Sequence, residues 1–274
     1  MPGESLEDAV AACAKLREQG VRSVLHELGE NVAGPEAAEA ATAAYTDALA
    51  RAADAGLDPH VSVKLTHLGL DVDRELARRN LGALVTAAGS RGGLVWIDME
   101  SSAYADRTLA LFREAREASS AVGLCLQAYL RRTADDLEGL IPLGPWLRLV
   151  KGAYDEAPPL AYTRRGDVDA NMLSLAARLL QPEARRAGAR LAAATHDTAL
   201  IGRIVERARG AGVEQADYEL QMLYGIQRDE QLRLARAGHR VRVLVSYGSD
   251  WYPWFVRRLA ERPANLAFLL RNLL

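Results

Sequence analysis

Eight short β-rich apolar runs recur along this 274-residue chain, each followed by a polar turn and a longer stretch with helical spacing. They are SVLHEL near residue 23, VSVKL near 61, LVWIDM near 94, VGLCLQAYL near 122, LRLVKGAY near 147, RLAAATH near 190, YELQML near 218 and VRVLVSYG near 241. Between them, segments such as PEAAEAATAAYTDALARAADAG, DRELARRNLGALVTAAG and TADDLEGLI carry Ala and Leu at helical intervals, with Gly or Pro at their ends. Strands alternating with helices predict an α/β fold, and the nearly continuous apolar character of several runs predicts a parallel sheet covered on both faces. An open doubly wound sheet and a closed barrel both satisfy that pattern. Eight units with no Gly-rich fingerprint after the first run favour the closed (βα)8 TIM-like barrel, which needs about 250 residues. No linker rich in Ser, Pro or Gly divides the chain, so a single domain over 1–274 is predicted, with the barrel proper from about residue 22.

Charge narrows the partners. The 34 basic and 36 acidic residues are spread along the whole length, so no basic stripe points to nucleic acid. The N-terminal MPGESLEDAVAACAKLREQG is acidic and lacks a continuous apolar stretch, which predicts neither a secretory signal nor a membrane span. A cytoplasmic location is the expectation, with peripheral contact at the inner face of the membrane left open. Cys13 and Cys125 sit in apolar surroundings and are expected to be packed free thiols rather than a disulfide or a metal pair.

In a β/α barrel chemistry sits at the C-terminal ends of the strands, so polar residues that close an apolar run are candidates for the active face. Lys64, Asp98, Gln127, Lys151 and Thr195-His196-Asp197 stand at such ends. Lys64 and Asp98 read either as an ion pair at the rim or as fixed charge beside a substrate. Arg148, flanked by Leu147 and Leu149, must point opposite to them and requires a compensating anion or acceptor inside the barrel. His196 and Asp197 suggest a metal, but there is no HExxH, Cys/His cluster or carboxylate triad, and no metal site is expected. GxSxG and P-loop motifs are also absent. The irregular DEAPPLAYTRRG, 155–166, reads as a mobile lid or as a plain exposed loop.

The last segment, WYPWFVRRLAERPANLAFLLRNLL, is the most specific. An i,i+4 ion pair accounts for Arg257 and Glu261 but not for Arg258. Two adjacent guanidinium groups at a barrel mouth repel unless an anion lies between them, and bidentate capture of a carboxylate or phosphate is what Arg does well.

Taken in order, VSVKLTHLG, IDMESS, RLVKGAY, ATHD, the YELQMLYG run and RRLAERPAN resemble the proline dehydrogenase family, in its monofunctional bacterial form, over roughly 22–274. The resemblance implies a distorted barrel with the final helix over the C-terminal mouth and FAD lying across that mouth, without a Rossmann domain. It implies oxidation of L-proline to 1-pyrroline-5-carboxylate, with electrons passed to a quinone. Arg257, Arg258 and Lys64 would hold the substrate carboxylate, with Asp98 holding Lys64. Arg148 would lie near the flavin N5, giving Asp98 and Arg148 catalytic roles. Gln127 would contact the flavin pyrimidine edge, and Met99, Lys151, Gly152, Ala153, Thr195, His196 and Glu261 would bind the cofactor. Tyr154 and Leu223 would form pocket walls, and Glu30 a gate that pairs with a last-helix Arg in the empty enzyme.

Two positions depart from the family pattern. Leu244 stands where a Tyr commonly packs on the proline ring, which implies a roomier pocket and better tolerance of hydroxyproline. His26 stands where an acidic residue is common. Three other readings stay open from the sequence: the same chemistry on hydroxyproline or another cyclic amino acid, a Schiff-base enzyme using Lys64 or Lys151, and a binding module without catalysis.

Overall fold

The structure is a computed structural model and describes residues 1–249. Eight strands run β1 (Arg22–Glu27), β2 (His60–Val63), β3 (Leu94–Ile97), β4 (Val122–Gln127), β5 (Trp146–Val150), β6 (Arg190–Ala194), β7 (Glu219–Leu223) and β8 (Val241–Tyr247). Each pairs in parallel with the next, and β8 pairs with β1 from Arg22↔Arg242 to Glu27↔Tyr247, which closes the barrel. The closed (βα)8 barrel is therefore the observed fold. Every strand stops at or within a few residues of the polar group that ends its apolar run, so Lys64 and Asp98 begin βα loops instead of ending strands.

The helices are α1 (Leu6–Glu18), α2 (Pro35–Asp54), α3 (Arg74–Gly89), α4 (Ala105–Ala118), α5 (Thr133–Leu140), α6 (Arg165–Leu179), α7 (Pro182–Arg186), α8 (Thr198–Gly210) and α9 (Arg228–Arg236). Their starts follow from side-chain caps. Ser5 accepts from the Asp8 amide, Asp73 from Leu76 and Asp197 from Leu200, each satisfying an N–H that has no partner within its helix. Helix α1 packs against both β1 and β8, over the seam where the barrel closes.

Strand alternation splits the interior in two. One parity, including Val61, Val63, Ile97, Leu124, Leu147, Leu149, Val243 and Val245, joins the core between strands and helices. The other parity puts Val24, Leu94, Trp96 and Ala192 into a separate apolar cluster, with Trp146 and Leu244 packed on it. That cluster forms an apolar layer within the barrel interior. Both cysteines are buried and free, and burial lifts the Cys13 and Cys125 thiols to about 11 and about 12. No helix of the described residues is long and apolar enough to cross a membrane.

The 155–166 segment is anchored at two points. Glu156 accepts from the Ser102 amide at 2.6 Å and hydroxyl at 2.5 Å. Farther along, Tyr162 donates its amide to Tyr129 and Arg131 its amide to Leu160, around an antiparallel Leu130↔Ala161 bridge.

Candidate active site

Arg148 is the centre of the polar cluster. It is 4% exposed, and its Nη1 donates to Ser62 Oγ at 2.8 Å and to Asp98 Oδ1 at 2.9 Å. Its Nε donates to Gln221 Oε1 at 2.7 Å, and its guanidinium lies 4.5 Å from the Trp96 ring centre. The compensating anion that strand parity demands is thus Asp98, which also accepts from Ser62 Oγ at 2.8 Å.

The expected pairing of Lys64 with Asp98 is corrected. Lys64 Nζ instead pairs with Glu30, while Asp98 belongs to Arg148. The reason is that Lys64 and Glu30 leave neighbouring strands β2 and β1 on loops at one rim, whereas Asp98 turns back over β3 to Ser62 and Arg148. The further pairing expected between Glu30 and the last helix lies outside the described residues, as do Arg257, Arg258 and Glu261.

His26, the departure on β1, is buried beside this cluster. Its Nδ1 donates to the Ser62 carbonyl at 2.9 Å and lies 3.8 Å from Asp98 Oδ2. Burial lowers its pKa below the ordinary histidine value, which favours a neutral ring against Asp98. His67 behaves alike and falls to about 4, mainly through burial.

On β4, Gln127 donates from Nε2 to the Met99 carbonyl at 3.2 Å, and its Oε1 is buried with no partner among the described residues. Arg148 Nη2 is likewise buried and has no partner among the described residues. Buried polar atoms are rarely left so, and here an acceptor and a donor on adjacent strands are both left open. This pair is what a flat heterocycle with both amide-type donors and acceptors would satisfy, so the residues present fit a flavin.

The rim on the β5–β6 side carries the remaining predicted residues. Lys151 Nζ is 2.5 Å from Asp169 and 2.9 Å from Asp197, and Arg165 also reaches Asp197 at 2.8 Å. The two cations and the α8 amide hold the Asp197 carboxyl well below its ordinary range. Sequence reasoning had no role for Asp169; a carboxylate four residues into α6 carries no distinguishing mark. Gly152 is required by geometry, since its φ is +123° and a Cβ there would sit 2.3 Å from the Tyr129 ring. Ala153 and Tyr154 follow it on the same loop. Thr195 is buried, and its hydroxyl accepts from the Asp197 amide at 3.2 Å. His196 Nε2 accepts from the Leu223 amide at 2.9 Å, which ties the end of β6 to β7. Leu223 and Leu244 are register partners of one parity on β7 and β8, and both are half-buried. No cluster of His, Cys, Asp or Glu suited to a metal occurs among the described residues.

Sequence reasoning passed over Ser62, Gln221, Glu219 and Arg242, although a signal was present. Gln221 stands between Leu220 and Met222, and Arg242 between Val241 and Val243, as Arg148 does between Leu147 and Leu149.

Comparison with known proteins agrees with this geometry. The proline dehydrogenase family model matches residues 9–271. Proline dehydrogenase 2 of Bacillus subtilis (strain 168) is 37% identical over 271 residues, covering 99% of this chain and 88% of the relative. The proline dehydrogenase of Deinococcus radiodurans is 37% identical over 277 residues, with the same two coverages. Among solved structures, proline utilization A from Bdellovibrio bacteriovorus inactivated by N-propargylglycine superposes with a TM-score of 0.86 at 26% identity. That match covers 94% of this chain, which spans 32% of the longer protein. The family match over residues 9–271 and the relatives aligned over 88% of their length, together with the closed barrel, place this chain in the proline dehydrogenase family of oxidoreductases.

Proposed function

We propose that the barrel mouth binds FAD and oxidises L-proline to 1-pyrroline-5-carboxylate, with a quinone as the final electron acceptor. Membership of the family implies a flavin cofactor. The observation that carries the fuller reading is the open donor and acceptor pair, Arg148 Nη2 and Gln127 Oε1, beside the charged rim of Lys64 and Glu30.

When bound, FAD supplies the hydride acceptor and a store for two electrons. Gln127 would hold its pyrimidine edge and Arg148 would lie near its N5, while Met99, Lys151, Gly152, Ala153, Thr195 and His196 would line it, with Glu261 from beyond the described residues. The carboxylate of proline goes to Lys64 with Arg257 and Arg258. These cations disfavour a second positive charge, so they lower the pKa of the substrate amine and promote the neutral nitrogen that hydride departure requires. Asp98 balances Arg148 and leaves its remaining edge for the cofactor. Tyr154, Leu223 and Leu244 bound the ring, and orientation rather than a nucleophile supplies the catalysis. Glu30 is the gate, its carboxylate on Lys64 until a substrate carboxylate takes that place. A quinone confined to a bilayer would bring peripheral membrane contact with it.

A Schiff-base reading is disfavoured because both candidate lysines are engaged by carboxylates, Lys64 by Glu30 and Lys151 by Asp169 and Asp197. The departure at Leu244 suggests one variant of the main reading. Leu244 is half-buried and packs on the interior apolar cluster, and, being smaller than the Tyr common in the family at this place, it is expected to tolerate a substituted ring such as hydroxyproline.

The visible spectrum tests the proposal. Purified protein reconstituted with FAD is expected to be yellow and to bleach on anaerobic addition of proline. A colourless protein that does not take up FAD would overturn it.

A further inference from the structure

We propose that Gln221 is a positioning residue for this reaction: its amide, set between Arg148 and Glu219, fixes which edge of the Arg148 guanidinium is left open to a ligand. Gln221 is 5% exposed on β7. Its Oε1 accepts from Arg148 Nε at 2.7 Å, and its Nε2 donates to Glu219 Oε2 at 2.9 Å. Glu219 is in turn held by Arg242 through two bonds, Nε to Oε2 at 3.0 Å and Nη2 to Oε1 at 2.9 Å. A polar chain therefore runs through the apolar layer of the barrel, from Asp98 through Arg148, Gln221 and Glu219 to Arg242.

The chemistry leaves the amide a single orientation. Arg148 Nε can only donate, and the Glu219 carboxylate in this chain only accepts, so the oxygen must face Arg148 and the nitrogen Glu219. A primary amide is a planar group of this size with an acceptor and a donor at its two ends. With Nε bound to Gln221, Nη1 bound to Ser62 and Asp98, and the face of the group on Trp96, the Nη2 edge is what remains. Without the amide, Nε–H is left unpaired in the barrel interior and the head of Arg148 is free to turn. The inference rests on the reading above that Nη2 meets the flavin, and its closing experiment separates the two.

The test uses the FAD-loaded enzyme and two substitutions, Gln221→Leu and Gln221→Glu. The rate of flavin bleaching by proline in single turnover, the flavin visible spectrum and its dissociation constant are followed from acid to alkaline pH. Gln221→Leu is expected to bleach about tenfold more slowly at every pH, the effect of one lost hydrogen bond, with little change in proline affinity and an altered spectrum. Gln221→Glu places two carboxylates face to face, so it is expected to be slow at alkaline pH. It should recover toward the parent in acid, because a protonated carboxyl again offers an acceptor to Arg148 and a donor to Glu219. A purely structural role moves the thermal midpoint and leaves the form of this pH profile unchanged. Parental rates and spectra for both variants overturn the proposal. Should Gln221→Leu fail to fold, Gln221→Glu decides alone, and a profile parallel to the parent's overturns it. Arg148→Lys separates the premises: if it leaves rate and spectrum unchanged, the placement of Arg148 at the flavin fails, whereas slowing there without any response at Gln221 refutes only the present inference.

Discussion

Two buried arginines share one barrel and answer to opposite demands. Arg242, at the start of β8, has no exposed surface and uses all three of its nitrogens: Glu219 takes Nε and Nη2, the Ser23 carbonyl takes Nη1 at 2.7 Å, and Asp58 lies 3.0 Å from Nη2. Arg148, toward the C-terminal end, has Asp98, Ser62 and Gln221 and among the described residues leaves Nη2 open. The closed site carries its cost within itself and adds nothing for a ligand. The open site keeps one buried donor unpaired, a cost that a bound group repays. In barrels of this class the C-terminal face carries chemistry and the N-terminal face stability, and the two arginines follow that division.

The comparison breaks most visibly if Arg242 is removed. Arg242→Met takes from the buried Glu219 carboxylate its two-bond partner and leaves it Arg240 at 3.0 Å and the Gln221 amide, so a loss toward the lower end of about 3–5 kcal/mol in urea unfolding is expected. Glu219 also sets an acid limit. Its carboxyl is drawn down to about 2 by Arg242, against its own burial. That pair's contribution is therefore present above the ordinary glutamate range and is lost as pH falls toward about 2. Arg242→Met should flatten this part of the acid unfolding curve; an unchanged curve would remove the closed site from the account.

Arg148→Met is expected to do the reverse. Asp98 keeps Ser62 and is 20% exposed, so the stability loss should be clearly smaller than for Arg242→Met. Single-turnover bleaching by proline should fall by about 10²–10³, as when a preorganised donor is lost from an active site. Equal effects of the two substitutions on both stability and rate would erase the distinction between the sites.

Glu27 sharpens the contrast from outside the barrel, because it is a part-buried carboxyl with neither kind of arginine. It lines a groove with Glu4, Asp47 and Tyr247, and burial pushes it up to about 7. A raised carboxyl favours the folded state at low pH, and that contribution fades as pH rises through about 7. Glu27→Gln should match the parent near pH 4 and be more stable near pH 8, by about 1 kcal/mol once solvent screening is discounted. Thermal midpoints at the two pH values check it.

The smallest effect is expected in the layer between the arginines. Leu244→Tyr narrows the interior beside Trp96 and should lower the hydroxyproline/proline ratio of kcat/KM by a few-fold, in keeping with the worth of a small steric change in a pocket. An unchanged ratio in steady-state kinetics would show that Leu244 does not set ring tolerance.

Much of this is legible in the sequence. The eight strands, their parallel order and the polar groups closing them follow from period and composition, because a strand buried on both faces can hardly be written otherwise. Arg148 was legible for the same reason, since a guanidinium between two leucines must turn inward and find an anion. The identity of that anion was not. Asp98 and Glu30 are both carboxylates at strand ends, and only the path of each loop decides which cation it meets. Lys151 shows the same limit, because one of its partners, Asp169, sits on a helix 18 residues farther along.

The sequence by itself determined the barrel, the face on which chemistry sits and the inward parity of Arg148, Gln221 and Arg242, because hydrophobic period and strand alternation are local properties of the chain. Only the tertiary structure decided that Glu219 and Gln221 join the two arginines into one chain, and that one guanidinium is fully used while the other keeps an open edge. Those outcomes depend on register between strands distant in sequence, and hydrogen-bond partners a few ångströms apart are set by that register rather than by any residue alone.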